Sequence, residues 1–103
     1  MALPSIRVAH PHVELAADGS PTVRGTRVPV RRLWAWHRRG TAIETLLKRY
    51  PTLGWARLLD ALAFAYDNQE LVTADLERER EALGTDVLPP EAAQTALPFA
   101  GRK

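Results

Sequence analysis

The amino-acid sequence predicts a mainly α protein: a short N-terminal β-hairpin, a three-helix core of helix-turn-helix type, an additional acidic helix and a flexible C-terminal tail. Three observations carry this. His12-Val13-Glu14-Leu15 alternates polar and apolar residues and is followed by Asp18-Gly19-Ser20-Pro21 and a β-branched return, which is hairpin chemistry. From Pro29 the apolar period lengthens to that of a helix, with Val30, Leu33, Trp34 and His37 at i, i+3, i+4 and i+7. Gly40 and Pro51 then cut the helical half into short pieces.

The chain of 103 residues is long enough for one modest core. It has no Cys, which removes disulfides and thiolate metal sites. No apolar run reaches the roughly 20 residues of a membrane span, and the first residues lack the apolar core of a secretory signal, so a soluble cytoplasmic protein is expected. The net charge of +2 conceals an asymmetry: residues 1–66 carry +6 and residues 67–103 carry −4. A basic front and an acidic back are compatible with two different partners, one polyanionic and one basic, and equally with ordinary solvated surface.

Residues 1–11 show no period and read as a loosely tied arm. His10 and His12 lack a third ligand, and no metal site is expected. In the stretch T-V-R-G-T-R-V-P-V, Thr22 to Val30, Gly25 supplies turn freedom and Pro29 marks the switch from strand to helix. Arg24 and Arg27 bracket that glycine. The first helix carries Arg31, Arg32, Arg38 and Arg39 away from its apolar stripe, a credible phosphate contact or a solvated face. Trp36 sits off the stripe and is expected to be partly exposed, which points to an interface.

Gly40 closes this helix, and Thr41-Ala42-Ile43-Glu44 has the spacing of a capping box for a second helix over residues 42–50. Its buried stripe is Ile43, Leu46, Leu47 and Tyr50, and Pro51 stops it. A third helix, Trp55 to Asp67, is apolar over a wide face comprising Trp55, Leu58, Leu59, Leu62, Ala65 and Tyr66, and leaves only Arg57 and Asp60 for a base edge. Residues 12–67 thus form the hairpin and helix-turn-helix domain. Asn68 starts an acidic fourth helix over residues 68–84, with Leu71, Val72, Leu76 and Leu83 as its apolar line. Residues 85–103 are expected to be disordered or ordered by a partner, and offer Leu97 and Phe99 as apolar anchors.

No nucleophile with a base, carboxylate pair, glycine-rich phosphate loop or metal set is evident, so no enzyme, cofactor or small-molecule substrate is expected. The order V-E-L, T-V-R-G-T-R-V-P-V, I-E-T-L-L-K-R-Y-P-T-L and A-L-A-F-A-Y resembles the bacterial family catalogued as domain of unknown function 433, over about residues 10 to 67. Members resemble a homeodomain-like helix-turn-helix and are often described as VapB-type antitoxins, encoded beside a PIN-like ribonuclease toxin. The resemblance implies toxin neutralisation by direct binding, and operator binding that represses the pair's own transcription. This sequence departs from the family at the third helix, where Gly54, Trp55, Ala56 and Arg57 replace a Thr cap and acidic residues.

On this reading the basic front, Arg24, Arg27, Arg31, Arg32, Arg38, Arg39 and Arg57, contacts operator DNA. Leu71, Leu76, Leu83, Leu97 and Phe99 contact the toxin, Gly25, Pro29, Gly40, Thr41 and Pro51 shape the backbone, and the chain works as a homodimer. The alternative is a dimeric protein-interaction module that uses the helix-turn-helix scaffold without binding DNA.

Overall fold

The computed structural model describes residues 2–88. Strands β1 (Val13–Leu15) and β2 (Pro21–Val23) form an antiparallel hairpin, followed by α1 (Val30–Arg38), α2 (Ile43–Arg49), α3 (Gly54–Asp67) and α4 (Gln69–Leu83). The hairpin pairs Val13 with Val23 and Leu15 with Pro21. Asp18 closes its turn by accepting the Ser20 amide at 3.0 Å, in keeping with the Asp-Gly signal. Two strands alone would be marginal; here Val13 and Val23 point into the core, and β2 packs on α1 and α3.

The T-V-R-G-T-R-V-P-V stretch forms a compact turn beyond β2. Gly25 adopts φ +79, the Val23 amide bonds to the Val28 carbonyl at 2.9 Å, and the Thr26 hydroxyl caps the Val23 carbonyl at 2.8 Å. Pro29, extended at φ −77 and ψ 138, is the residue from which α1 starts. The strand-to-helix switch therefore lies where the proline places it.

Helix α1 ends in a Schellman motif: Gly40 is left-handed at φ +92, its amide bonds to the His37 carbonyl, and the Thr41 amide bonds to the Trp36 carbonyl at 3.1 Å. This corrects the expected capping box. With its amide committed to the end of α1, Thr41 lies one residue too early, and the N-cap of α2 falls to Ala42. The connection therefore covers residues 39–42 instead of a single glycine.

The core gathers Val30, Leu33, Trp34 and Trp36 of α1, Leu46 of α2, Leu58, Leu62 and Phe64 of α3, and Leu71 and Val72 of α4. Helix α1 packs on α3 and α4 and also meets α2 and β2. A helix so surrounded has little free side, and Trp36, expected to be partly exposed, is only 2% exposed. The Arg49 guanidinium covers its ring at 4.2 Å from the centroid. Leu71, expected at a partner surface, is also buried in this core, whereas Leu83 is exposed. Beyond α4, Leu88 is buried and Val87 packs on the core, so the tail expected from residue 85 begins with a folded return.

The arm expected to be loosely tied is held by Asn68, the one residue between α3 and α4. Its Oδ1 accepts the amides of Arg7 at 2.6 Å and Val8 at 2.9 Å, while its Nδ2 donates to the carbonyls of Val8 and Phe64 at 2.8 and 2.9 Å. All four hydrogen-bonding positions of a buried amide are thereby used. Replacing Asn68 by Ala strands these backbone groups and should cost about 1–3 kcal/mol. The expected readout is a lower thermal midpoint together with faster hydrogen exchange at the Arg7 and Val8 amides; unchanged exchange would show that the arm is held elsewhere.

Candidate partner and nucleic-acid interface

The arginines expected to face DNA separate into those turned inward and those turned outward. Arg31 is turned inward. Its Nε and Nη2 donate to the two oxygens of Glu79 at 2.7 and 3.2 Å, and its Nη1 donates to Ser20 Oγ at 2.6 Å and Asp75 Oδ2 at 3.0 Å. Asp75, 1% exposed, also accepts the Ser20 hydroxyl at 2.6 Å and Arg78 Nη2 at 2.9 Å. Arg32 adds a bond to Glu79 at 3.1 Å. Burial opposes charge on Arg31, but its bonds to Glu79 and Asp75 outweigh that and raise its pKa. The Arg31 hydrogen bond holds the Glu79 carboxyl below its ordinary range. This cluster ties α1, α4 and the hairpin turn together.

Arg24 lies back over β1, where it donates to Glu14 Oε1 at 3.2 Å and to the carbonyls of Pro11 and Val13 at 3.0 and 3.3 Å. Glu14 also accepts the Gly25 amide, so Arg24 braces the turn it sits on. Arg39 pairs with Asp86 at 2.9 Å and approaches the Trp36 ring. Arg57 donates to the Thr52 carbonyl at 3.4 Å. Arg27 and Arg38 remain exposed, Arg38 lying over the Trp34 ring at 5.4 Å. Lys48 and Arg49 are further exposed cations on α2.

A polar site that the sequence reading missed joins the arm to α3. His10 Nδ1 lies 2.7 Å from Asp60 Oδ1 and Nε2 lies 2.8 Å from Asp67 Oδ2, and the ring packs edge-on against Phe64. Asp60 also accepts the His12 amide at 2.9 Å. Two carboxylates seven residues apart share one helical face, which is the signal that could have revealed the site. Hydrogen bonding to Asp60, opposed by burial and reinforced by Asp67, raises the His10 pKa. Asp60 is pushed up by burial but more strongly down by His10 and the His12 amide, so its pKa falls. Among the described residues no group of three or more His, Asp or Glu is placed to hold a metal ion.

On α3 every fully exposed position from Trp55 to Tyr66 is apolar: Trp55, Ala56, Leu59, Ala63 and Tyr66. In a helix-turn-helix this is the element that would read bases, yet its outward side offers almost no hydrogen-bonding groups. The expected wide apolar stripe thus divides, with Leu58, Leu62 and Ala65 turned inward and Trp55, Leu59 and Tyr66 outward.

A family model described as "Protein of unknown function (DUF433)" matches residues 10–65. The chain belongs to that family. The DUF433 segment takes in the hairpin, α1, α2 and nearly all of α3, and stops before Asp67, Asn68 and α4. No curated protein and no solved structure matches the chain significantly. The expected anchors Leu97 and Phe99 lie outside the described residues. Among the described residues no helix is long and apolar enough to cross a membrane.

Two outcomes follow from these polar clusters. Asp75→Ala leaves Arg31 and Arg78 without their shared carboxylate and should destabilise the fold by about 3 kcal/mol, measured by denaturant unfolding. For His10, a folded pKa above the ordinary value of about 6.5 means that its contribution is complete below that pH and is lost as pH rises through the folded value. Asp60 has a depressed folded pKa, so its contribution is present above its ordinary value and lost as pH falls through the depressed one. Stability conferred by the clasp should therefore decline on the alkaline side. His10→Gln should remove that decline; an identical pH profile in wild type and variant would show that His10 does not contribute.

Proposed function

We propose that the chain is a non-enzymatic protein-binding module on a helix-turn-helix scaffold, acting as the antitoxin that binds and neutralises a PIN-like ribonuclease. The observation that carries this reading is the apolar outward side of α3, where a DNA reader would present polar groups. The G-T-R-V-P-V and Y-P-T-L motifs within the matched family segment support the VapB-type antitoxin role. Exposed Leu83, at the end of the acidic α4, is an anchor suited to a basic ribonuclease surface. Cytoplasmic location accords with the absence of Cys.

Repression of its own operon is a second reading, favoured by the exposed cations Arg27, Arg38, Lys48 and Arg49. Such contact would be to phosphates, with little base readout. Arg31 and Arg32 are poor probes of it, because an acidic residue at either position would face Glu79 and break the fold.

Co-expression with the ribonuclease encoded in the adjacent reading frame should yield a co-purifying complex without RNA cleavage. Full cleavage activity with the chain in excess would overturn the antitoxin role. On operator-length DNA, Arg27→Ala and Arg38→Ala should each reduce the log K versus log salt slope by about 1. Salt-independent or absent binding removes the DNA reading and leaves the protein-binding one intact.

A further inference from the structure

The geometry points to a second copy of this chain as the occupant of the outward face of α3, in an antiparallel pairing about a two-fold axis level with Ala61. This rests on the reading of the chain as a protein-binding module and names what covers that face.

Trp55, at 54% exposure, Leu59, at 47%, and Tyr66, at 48%, are large apolar side chains on one side of one helix. Ala56 and Ala63 fill the exposed positions between them. Single exposed apolar residues are ordinary, but a continuous stripe of aliphatic and aromatic side chains marks a contact surface. The stripe ends within the described helix at both sides, as a helix-on-helix contact does.

A two-fold interface uses the same patch on both copies, so the patch must complement itself. This one does. With the axis level with Ala61, Tyr66 comes level with Ala56 of the second copy, and Leu59 with its Ala63. Each bulky side chain meets a small one, which allows close approach of the two helices. Trp55 comes level with Asp67 of the second copy. Among the described residues the indole N–H of Trp55 has no hydrogen-bond partner. Asp67 is 47% exposed, and among the described residues only its Oδ2 is engaged, by His10, which leaves its other oxygen as an acceptor. Antiparallel alignment also sets the positive end of each helix dipole beside the negative end of the other.

The three large side chains together offer roughly 300 Å² per copy. A standard interface takes about 800 Å² from each partner. The face therefore supports a weak dimer, with dissociation in the micromolar range or above.

The test uses the full chain in sedimentation velocity from about 1 μM to 1 mM, a range that brackets weak association. A concentration-dependent monomer–dimer shift is expected, and Leu59→Arg should abolish it while leaving the helical circular dichroism unchanged. Orientation is read by cysteine cross-linking, which the Cys-free chain permits. Positions 59 and 63 lie about 6 Å apart along a helix, and positions 55 and 67 about 18 Å. Oxidation should cross-link Leu59→Cys/Ala63→Cys into dimers and leave Trp55→Cys monomeric; efficient Trp55→Cys dimers would indicate a parallel pair and overturn the arrangement. A wild-type chain that stays monomeric, or a Leu59→Arg chain that still dimerises, overturns the assignment of a second copy. If wild type is monomeric and Leu59→Arg loses ribonuclease binding, the occupant is the ribonuclease. The second copy is then rejected while the protein-binding reading stands.

Discussion

The fold depends on one guanidinium. Arg31 on α1 reaches across to Asp75 and Glu79 on α4 and to Ser20 in the hairpin turn, so three parts of the chain meet at a single cation. Asp75 is almost wholly removed from water, and an isolated carboxylate there would be costly; two arginines and a serine hydroxyl compensate it. The division into a basic front and an acidic back follows from this. Arg31 and Arg32 with Glu79, Arg39 with Asp86 and His10 with Asp67 pair the two halves inside one molecule. Much of the charge that suggested two external partners is spent within the chain.

What the sequence made legible was local. Gly40, Pro29 and Pro51 impose backbone conditions on their immediate neighbours, and the helix boundaries fall within a few residues of where those conditions place them. The Asp-Gly turn and the glycine at the end of α4 are of the same kind. Pairings between distant segments were not legible. Asp75 falls on the apolar line of α4 with Leu71 and Val72, an acid where an apolar residue is expected, and that misfit was its only trace. Trp36 looked like a surface residue because a helical wheel assumes one buried side, whereas α1 is enclosed by α2, α3 and α4. His10 was weighed as a metal ligand, while its actual neighbours lie about 50 residues away on α3.

The inward and outward sides of α3 have different work. Leu58, Leu62 and Phe64 fill the core, while Trp55, Leu59 and Tyr66 remain in water. Trp34 and His37 meet Tyr66 from α1: the His37 ring nitrogen lies 2.7 Å from the Tyr66 hydroxyl, and the Trp34 ring packs edge-on at 4.9 Å. The exposed tyrosine is thus held in place before any partner arrives, which lowers the ordering cost of contact. Such pre-set aromatic residues characterise protein contacts more than base recognition.

Asn68 joins two helices with no intervening loop and bonds to residues some 60 positions earlier. During synthesis the first eight residues must therefore wait until α3 has left the ribosome before they find their place. Arg31 waits longer, until Glu79 has emerged. The segment matched by the family model cannot close its own structure as it appears; its last fastenings arrive with residues that follow it. Completion of the fold is thus timed by α4: a truncation between Asn68 and Glu79 keeps the side chain that holds the arm but removes a carboxylate that fastens the first helix.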